Sequence, residues 1–126
     1  MQEMAAKRYQ IGQRDRLNDS VCNFLDALYL GRRGVRVGSM FGARAYFVGR
    51  CLMACATTGG VCLRIGSRRA TQAIASGAAN PFRPHGRVMR DWVEIESTHV
   101  PELHDCPNLF LAALTFTRSL AREQDR

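Results

Sequence analysis

Lysine is almost absent from this chain and acids are missing from its whole middle: Lys7 is the one lysine, and no Asp or Glu occurs from Ala27 to Arg90. Also lacking is any apolar run near the roughly 20 residues that a membrane-spanning helix needs, so no such span is expected. Met1 to Gln13 is polar and mixed in charge, without the basic patch and apolar stretch of an export leader, and the expected location is the cytoplasm. The five cysteines (Cys22, Cys51, Cys55, Cys62, Cys106) are an odd number in a chain with no such leader. That argues against a disulfide framework and for small buried side chains. His85, His99 and His104 show no metal-ligand spacing, and no cofactor is implied by any motif, so neither a metal nor a cofactor is expected. Internal repeats, low-complexity tracts and linkers are absent as well. The 126 residues therefore read as one domain over residues 14–122, with a frayed tail at 1–13 and a short tail at 123–126. A chain of this length buries roughly two-thirds of the surface it exposes when unfolded, enough for a core without metals or disulfides.

What the sequence has instead is arginine. The acid-free stretch holds Arg32, Arg33, Arg36, Arg44, Arg50, Arg64, Arg68, Arg69, Arg83, Arg87 and Arg90. Met1 to Asp26 is neutral in sum and Asp91 to Arg126 is acidic, so the middle accounts for the whole net charge of +7. Such asymmetry points to an anionic partner: nucleic acid, an acidic protein surface, or the acidic segment of a second copy. The competing explanation is a solvated arginine surface with no partner.

Hydrophobic periodicity sets out the elements. Leu17, Val21, Phe24 and Leu28 recur at helical spacing, and Gly31 and Gly34 end that helix. Val35 and Val37 then alternate with Arg36, and Ala43 to Val48, Cys51 to Thr57 and Val61 to Ile65 are short strand-like runs joined by tight turns. Connections this short make a β-meander. Simple alternation places Cys51, Met53 and Cys55 on one face and Leu52, Ala54 and Ala56 on the other. Both faces are apolar, so the sheet is expected to be covered on both sides, at least in part. Ser67 is a candidate N-cap for a short helix from Arg68 to Ser76, with Ala70, Ala73 and Ile74 inward and Gly77 closing it. Pro81 and Pro84 mark a turn-rich link, Val88 to Ile95 reads as a strand, and Pro101 to Pro107 as a loop. Asn108 is a candidate cap for a final helix through about Leu120. The fold class is α+β: an antiparallel sheet of about five strands flanked by helices, in the order α-β-β-β-β-α-β-α.

Met40-Phe41-Gly42, the strand end Leu63-Arg64-Ile65-Gly66, the link Asn80-Pro81-Phe82, and Gly86-Arg87-Val88-Met89 followed by Trp92-Val93 resemble, in order and spacing, the N-terminal domain of the TfoX/Sxy family of competence regulators. The resemblance runs from about Leu17 to Leu120. It departs at Gly38-Ser39, where the family usually has basic residues, and at Ala43, where a second glycine is common. The resemblance implies an α+β domain with an antiparallel sheet and a non-enzymatic part in transcriptional co-regulation. Full-length members carry a second, helical domain; the resemblance here covers the first. It marks Met40, Phe41, Gly42, Gly66, Phe82, Gly86 and Trp92 as structural motif residues. Independently, Gly42 and Gly66 sit where strands turn, and Trp92 is expected to pack the end of the sheet against a helix.

Catalytic chemistry has little to build on. His104-Asp105-Cys106 joins three reactive types, but adjacent side chains point apart, and a loop is the simpler reading. Cys51 and Cys55 lie about 13 Å apart along one strand, too far for a shared metal or a disulfide, whereas Cys62 has the option of a cross-strand pairing. The stronger candidate is electrostatic. Arg64, Arg68 and Arg69 crowd the positive end of the helix opened by Ser67, where an anion would relieve the conflict, and Arg83, Arg87 and Arg90 extend the cluster. Equally, these arginines can fan into water or pair with Asp91, Glu94 and Glu96. Two functions fit: a regulatory module contacting a protein partner or a second copy of itself, and a weak, phosphate-directed nucleic-acid binder. A pocket for a small molecule is a third option, for which the sequence shows no polar constellation.

Overall fold

In the computed structural model, residues 19–40, 42–57, 60–96 and 107–124 are described. The expected tail at 1–13, Leu17, Phe41, and the loop with His99 and His104-Asp105-Cys106 lie outside them.

Helix α1 covers residues 19–29 and buries Val21, Leu25 and Tyr29, one residue per turn on one face. The meander follows: β1 (Val35–Met40), β2 (Ala43–Val48), β3 (Cys51–Ala56) and β4 (Gly60–Arg64). Then come α2 (Ser67–Ala75), a two-residue strand β5 (Asn80–Pro81), a 3-10 turn at Pro84–Gly86, β6 (Trp92–Glu96) and α3 (Pro107–Gln124). All pairings are antiparallel, in the spatial order β1-β2-β3-β4-β6-β5. The α+β class and the order of the elements agree with the sequence reading. The sheet, however, has six strands, because Asn80–Pro81 pairs with Glu94 and Val93 at the edge. Pro81 is tolerated there because an edge strand needs hydrogen bonds on one side only.

Three boundaries differ from expectation. Strand β6 begins at Trp92 rather than Val88; Val88 and Met89 lie outside the ladder and are exposed. Helix α3 starts at Pro107, so Asn108 is a helical residue and not its cap, and the helix runs past Leu120 to Gln124, whose Oε1 lies 3.2 Å from the Cys51 Sγ that donates to it. Proline suits that first position because its missing N–H is one the helix cannot use.

Strand β3 does not alternate simply. Tyr46 pairs with Ala54 but Phe47 with Leu52, so β3 carries one extra residue, Met53, opposite β2. Tyr46 and Val48 share a face, and their partners Ala54 and Cys51 therefore share it too. The expected trio of Cys51, Met53 and Cys55 is thus split. Cys51, Ala54 and Ala56 join the core under the helices, while Cys55 lies opposite Ala45 and Cys62 on the other face.

All three described helices contribute to one core on one side of the sheet: Val21, Leu25 and Tyr29 from α1, Ala70 and Ala73 from α2, and Phe110, Ala113 and Leu114 from α3, over Tyr46, Val61, Leu63, Val93 and Ile95. The Tyr29 hydroxyl donates to the Phe110 carbonyl at 2.9 Å, tying α1 to α3. The segment from Phe82 to Asp91 crosses to the opposite face, closed by the Met89 N–H donating to the Phe82 carbonyl (2.9 Å) and by Ile65 and Gly66 N–H groups donating to the Asp91 carbonyl (2.8 and 3.0 Å). The second face is therefore covered in part.

Two substitutions test this packing. Gly60 has φ +152°, and a Cβ there would lie 1.9 Å from the Ile95 carbonyl oxygen; Gly60→Ala should cost about 3 kcal/mol or more in urea unfolding because backbone must move. Thr117 is wholly buried in α3 with its Oγ1 unpartnered; Thr117→Val should raise stability by about 1 kcal/mol in the same assay, by removing an unsatisfied hydroxyl.

Candidate functional site

The predicted arginine cluster is not one site. Strand alternation sends the Arg64 side chain to the second face, where its guanidinium carbon sits 5.0 Å from the centre of the Trp92 ring. Arg68 and Arg69 instead stand exposed on α2 and line a groove with Gln72 of α2, Ser76 at its C-terminal cap, and Asn108 and Leu109 of α3. Arg83, Arg87 and Arg90 are exposed on the link. Ser67 does not cap α2. Gly66 occupies the cap position with φ +91°, a conformation that favours glycine, and Ser67 is the first helical residue, exposed, its carbonyl accepting from Thr71 Oγ1. A side chain at the cap is also excluded sterically, since a Cβ on Gly66 would lie 2.9 Å from the Phe116 ring.

Of the eleven arginines in the acid-free stretch, Arg44 is the one with a carboxylate partner among the described residues. Arg44 Nε and Nη2 donate to the two Asp26 oxygens, each at 2.9 Å, and the Tyr46 hydroxyl donates to Asp26 Oδ1 at 2.5 Å and approaches the Cys22 carbonyl at 3.3 Å. This bidentate pair joins α1 to β2. Burial pushes the Asp26 carboxyl up, but the hydrogen bonds from Arg44 and Tyr46 and the guanidinium charge together more than offset it, and its pKa falls below the ordinary carboxylate value. Burial raises the Tyr46 phenol, and its bond to Asp26 raises it further.

A second group of cations forms at the far end of the meander, where Arg33, Arg118 and Arg122 line one groove with Gly34, Val48 and Gly49. Arg118 Nη2 donates to the Arg33 carbonyl at 2.7 Å, and Arg36 donates from Nε and Nη2 to the Gly49 carbonyl at 3.2 and 3.1 Å. Sequence reasoning missed Arg118 and Arg122 because they lie in the acidic third of the chain. Their spacing of four on a helix was the available signal.

The second face holds a cavity of about 460 Å³ between the sheet and the link. Its floor consists of the short side chains Ala43, Cys55 and Cys62 with Leu52 beside them, and its walls of Met40, Phe82, Met89 and Trp92. Trp92 is buried, with the Phe82 ring 5.9 Å away centre to centre. It thus packs the sheet against the link and not, as expected, against a helix. Three of the motif residues, Met40, Phe82 and Trp92, converge on this cavity. Gly42 (φ +78°) and Gly86 (φ +81°) serve as turn residues. Cys55 and Cys62 face each other across β3 and β4 as free thiols. Burial raises both, and for Cys62 the Glu94 charge adds to it, so both stay protonated at neutral pH. Among the described residues no three His, Cys, Asp or Glu side chains converge as a metal site, and no helix is long and apolar enough to cross a membrane.

No protein-family model matches the chain, and no curated protein matches it.

The Asp26 pair yields a pH test. Because its folded pKa is lowered, Asp26 contributes stability in full above the ordinary carboxylate value of 3.8 and loses it as pH falls through the folded pKa. Asp26→Asn should therefore cost about 1–3 kcal/mol at neutral pH and flatten the acid limb of stability, measured by urea unfolding from neutral pH down to about pH 3.

Proposed function

We propose that the protein is a non-catalytic regulatory module, acting in the cytoplasm, that engages an acidic protein surface through its arginines. The observation that carries this reading is the charge balance in space: ten of the eleven arginines in the acid-free stretch have no carboxylate partner among the described residues. Water hydrates these cations, but their summed field still steers and orients a surface that presents carboxylates in matching positions. The groove of Arg33, Arg118 and Arg122 gathers three arginines, against two in the groove at Arg68 and Arg69, and is the contact assigned to that partner. The ordered motif series shared with TfoX/Sxy N-terminal domains supports placing that contact in transcriptional co-regulation. A second copy of the chain is the self-complementary version of the same contact, and β1, at the open edge of the sheet, supports it.

The arginines fall into separate groups around the body, which favours a local protein contact over a continuous track for a phosphate backbone. Titration of a fluorescent polyglutamate peptide and of duplex DNA at low and physiological salt distinguishes the readings. The expected result is saturable peptide binding that weakens with salt and drops by about tenfold or more in an Arg118→Glu, Arg122→Glu variant. Tighter binding to DNA than to the peptide moves the assignment to nucleic acid, and no binding of either at low salt overturns it.

A further inference from the structure

Arg64 is placed unlike any other arginine described. Its Nε–H is buried with no hydrogen-bond partner, and its guanidinium lies over Trp92 on the wall of the second-face cavity. A permanent cation with a buried, ungiven donor is costly unless something arrives to accept it. Among the described residues no carboxylate lines the cavity. Of the two acids of β6 on the same face, Glu94 accepts from Thr57 Oγ1 at 3.4 Å, and Glu96 stands at the far end of the strand opposite Gly60. The surroundings of Arg64 in the cavity are largely apolar, with the Leu52, Phe82 and Met89 side chains and two thiols that burial keeps protonated; Thr57 and His85 are the other polar groups described there. At the rim, His85 is the one non-glycine described with a left-handed backbone (φ 58°), a conformation that concentrates near binding sites.

We propose that this cavity binds a monocarboxylic acid with an apolar body, its carboxylate accepting from Arg64 and its hydrocarbon lying between Leu52, Phe82 and Met89. The charge count sets the headgroup. One guanidinium fork matches one planar carboxylate; among the described residues no second arginine or lysine lines the cavity to match a phosphate dianion, the Thr57 hydroxyl is already engaged with Gly60 and Glu94, and His85 stands at the rim. The volume of about 460 Å³ sets the size, within the roughly 300–1,000 Å³ of pockets that hold small organic ligands. The small floor residues explain why space exists there at all: three short side chains stand where larger ones would fill the gap between sheet and link. The site is independent of the arginine groove on Arg33, Arg118 and Arg122, so either assignment stands or falls without the other.

Trp92 is the only tryptophan, so its emission reports on this cavity directly. The test titrates the full chain with decanoate and with decanol, its uncharged counterpart. Decanoate should change Trp92 emission saturably and bind about tenfold or more tighter than decanol, and Arg64→Gln should erase that preference while leaving decanol unchanged. Ala43→Phe keeps Arg64 but fills the floor, and should abolish the response to both ligands with the circular dichroism spectrum intact. The proposal is overturned if decanoate gives no saturable change, if decanoate and decanol bind alike to the unaltered protein, or if decanoate binding survives in folded Ala43→Phe protein.

Discussion

The extra residue in β3, Met53 opposite the Tyr46 to Phe47 step of β2, is the constraint on which the rest of the structure turns. A one-residue insertion reverses the facing of every side chain beyond it. It aligns Cys51 with Ala54 and Ala56 beneath the helices, and it turns Cys55 toward Ala45 and Cys62 on the opposite side. Without it, β3 would present Cys51, Met53 and Cys55 together, and the cavity floor would lose one of its short side chains. The insertion thus gives the sheet one face shaped for helix packing and another, lined by small residues, that the link from Phe82 to Asp91 only bridges.

Charge then distinguishes the positions that packing creates. Because the meander contains no acid, any arginine on it must find its counter-ion elsewhere in the fold or go without. Arg44 finds Asp26 on α1, and that pair locks helix to sheet with Tyr46 as the third member. Arg36 and Arg118 use backbone carbonyls at the turns, which orient them without neutralising them. Arg36 and Arg64 both lie over aromatic rings, Phe47 and Trp92, but of the two Arg64 is the one left with a buried donor to spare. Four cations with the same chemistry thereby have different capacities, set by what the fold puts beside each.

Much of the architecture was legible in the residue order. The helical period of Val21, Phe24 and Leu28, the short apolar runs with glycine turns and the tight connections led directly to an antiparallel meander with helices, because local periodicity and turn chemistry act over a few residues. What failed were inferences that need a third dimension. Ser67 has the chemistry of a cap, but Gly66 takes the place because the Phe116 ring packs against it. Asn80–Pro81 looks like a chain break, yet it pairs as a strand because β6 had an open edge. Trp92 faces the link and not a helix because its alternation partner Val93 already points to the core.

The sequence by itself determined the class of fold, the positions of most elements and the concentration of arginine in the acid-free stretch from Ala27 to Arg90, since all three follow from composition and period along the chain. Only the tertiary structure decided which arginines meet. Arg64 and Arg68 are four residues apart in sequence, but a strand alternates its side chains while the helix that follows lies on one side of the sheet, so they end up in different sites. Arg33 and Arg118 are far apart in sequence and share a groove, because the C-terminal half of α3 packs back over the first turns of the meander.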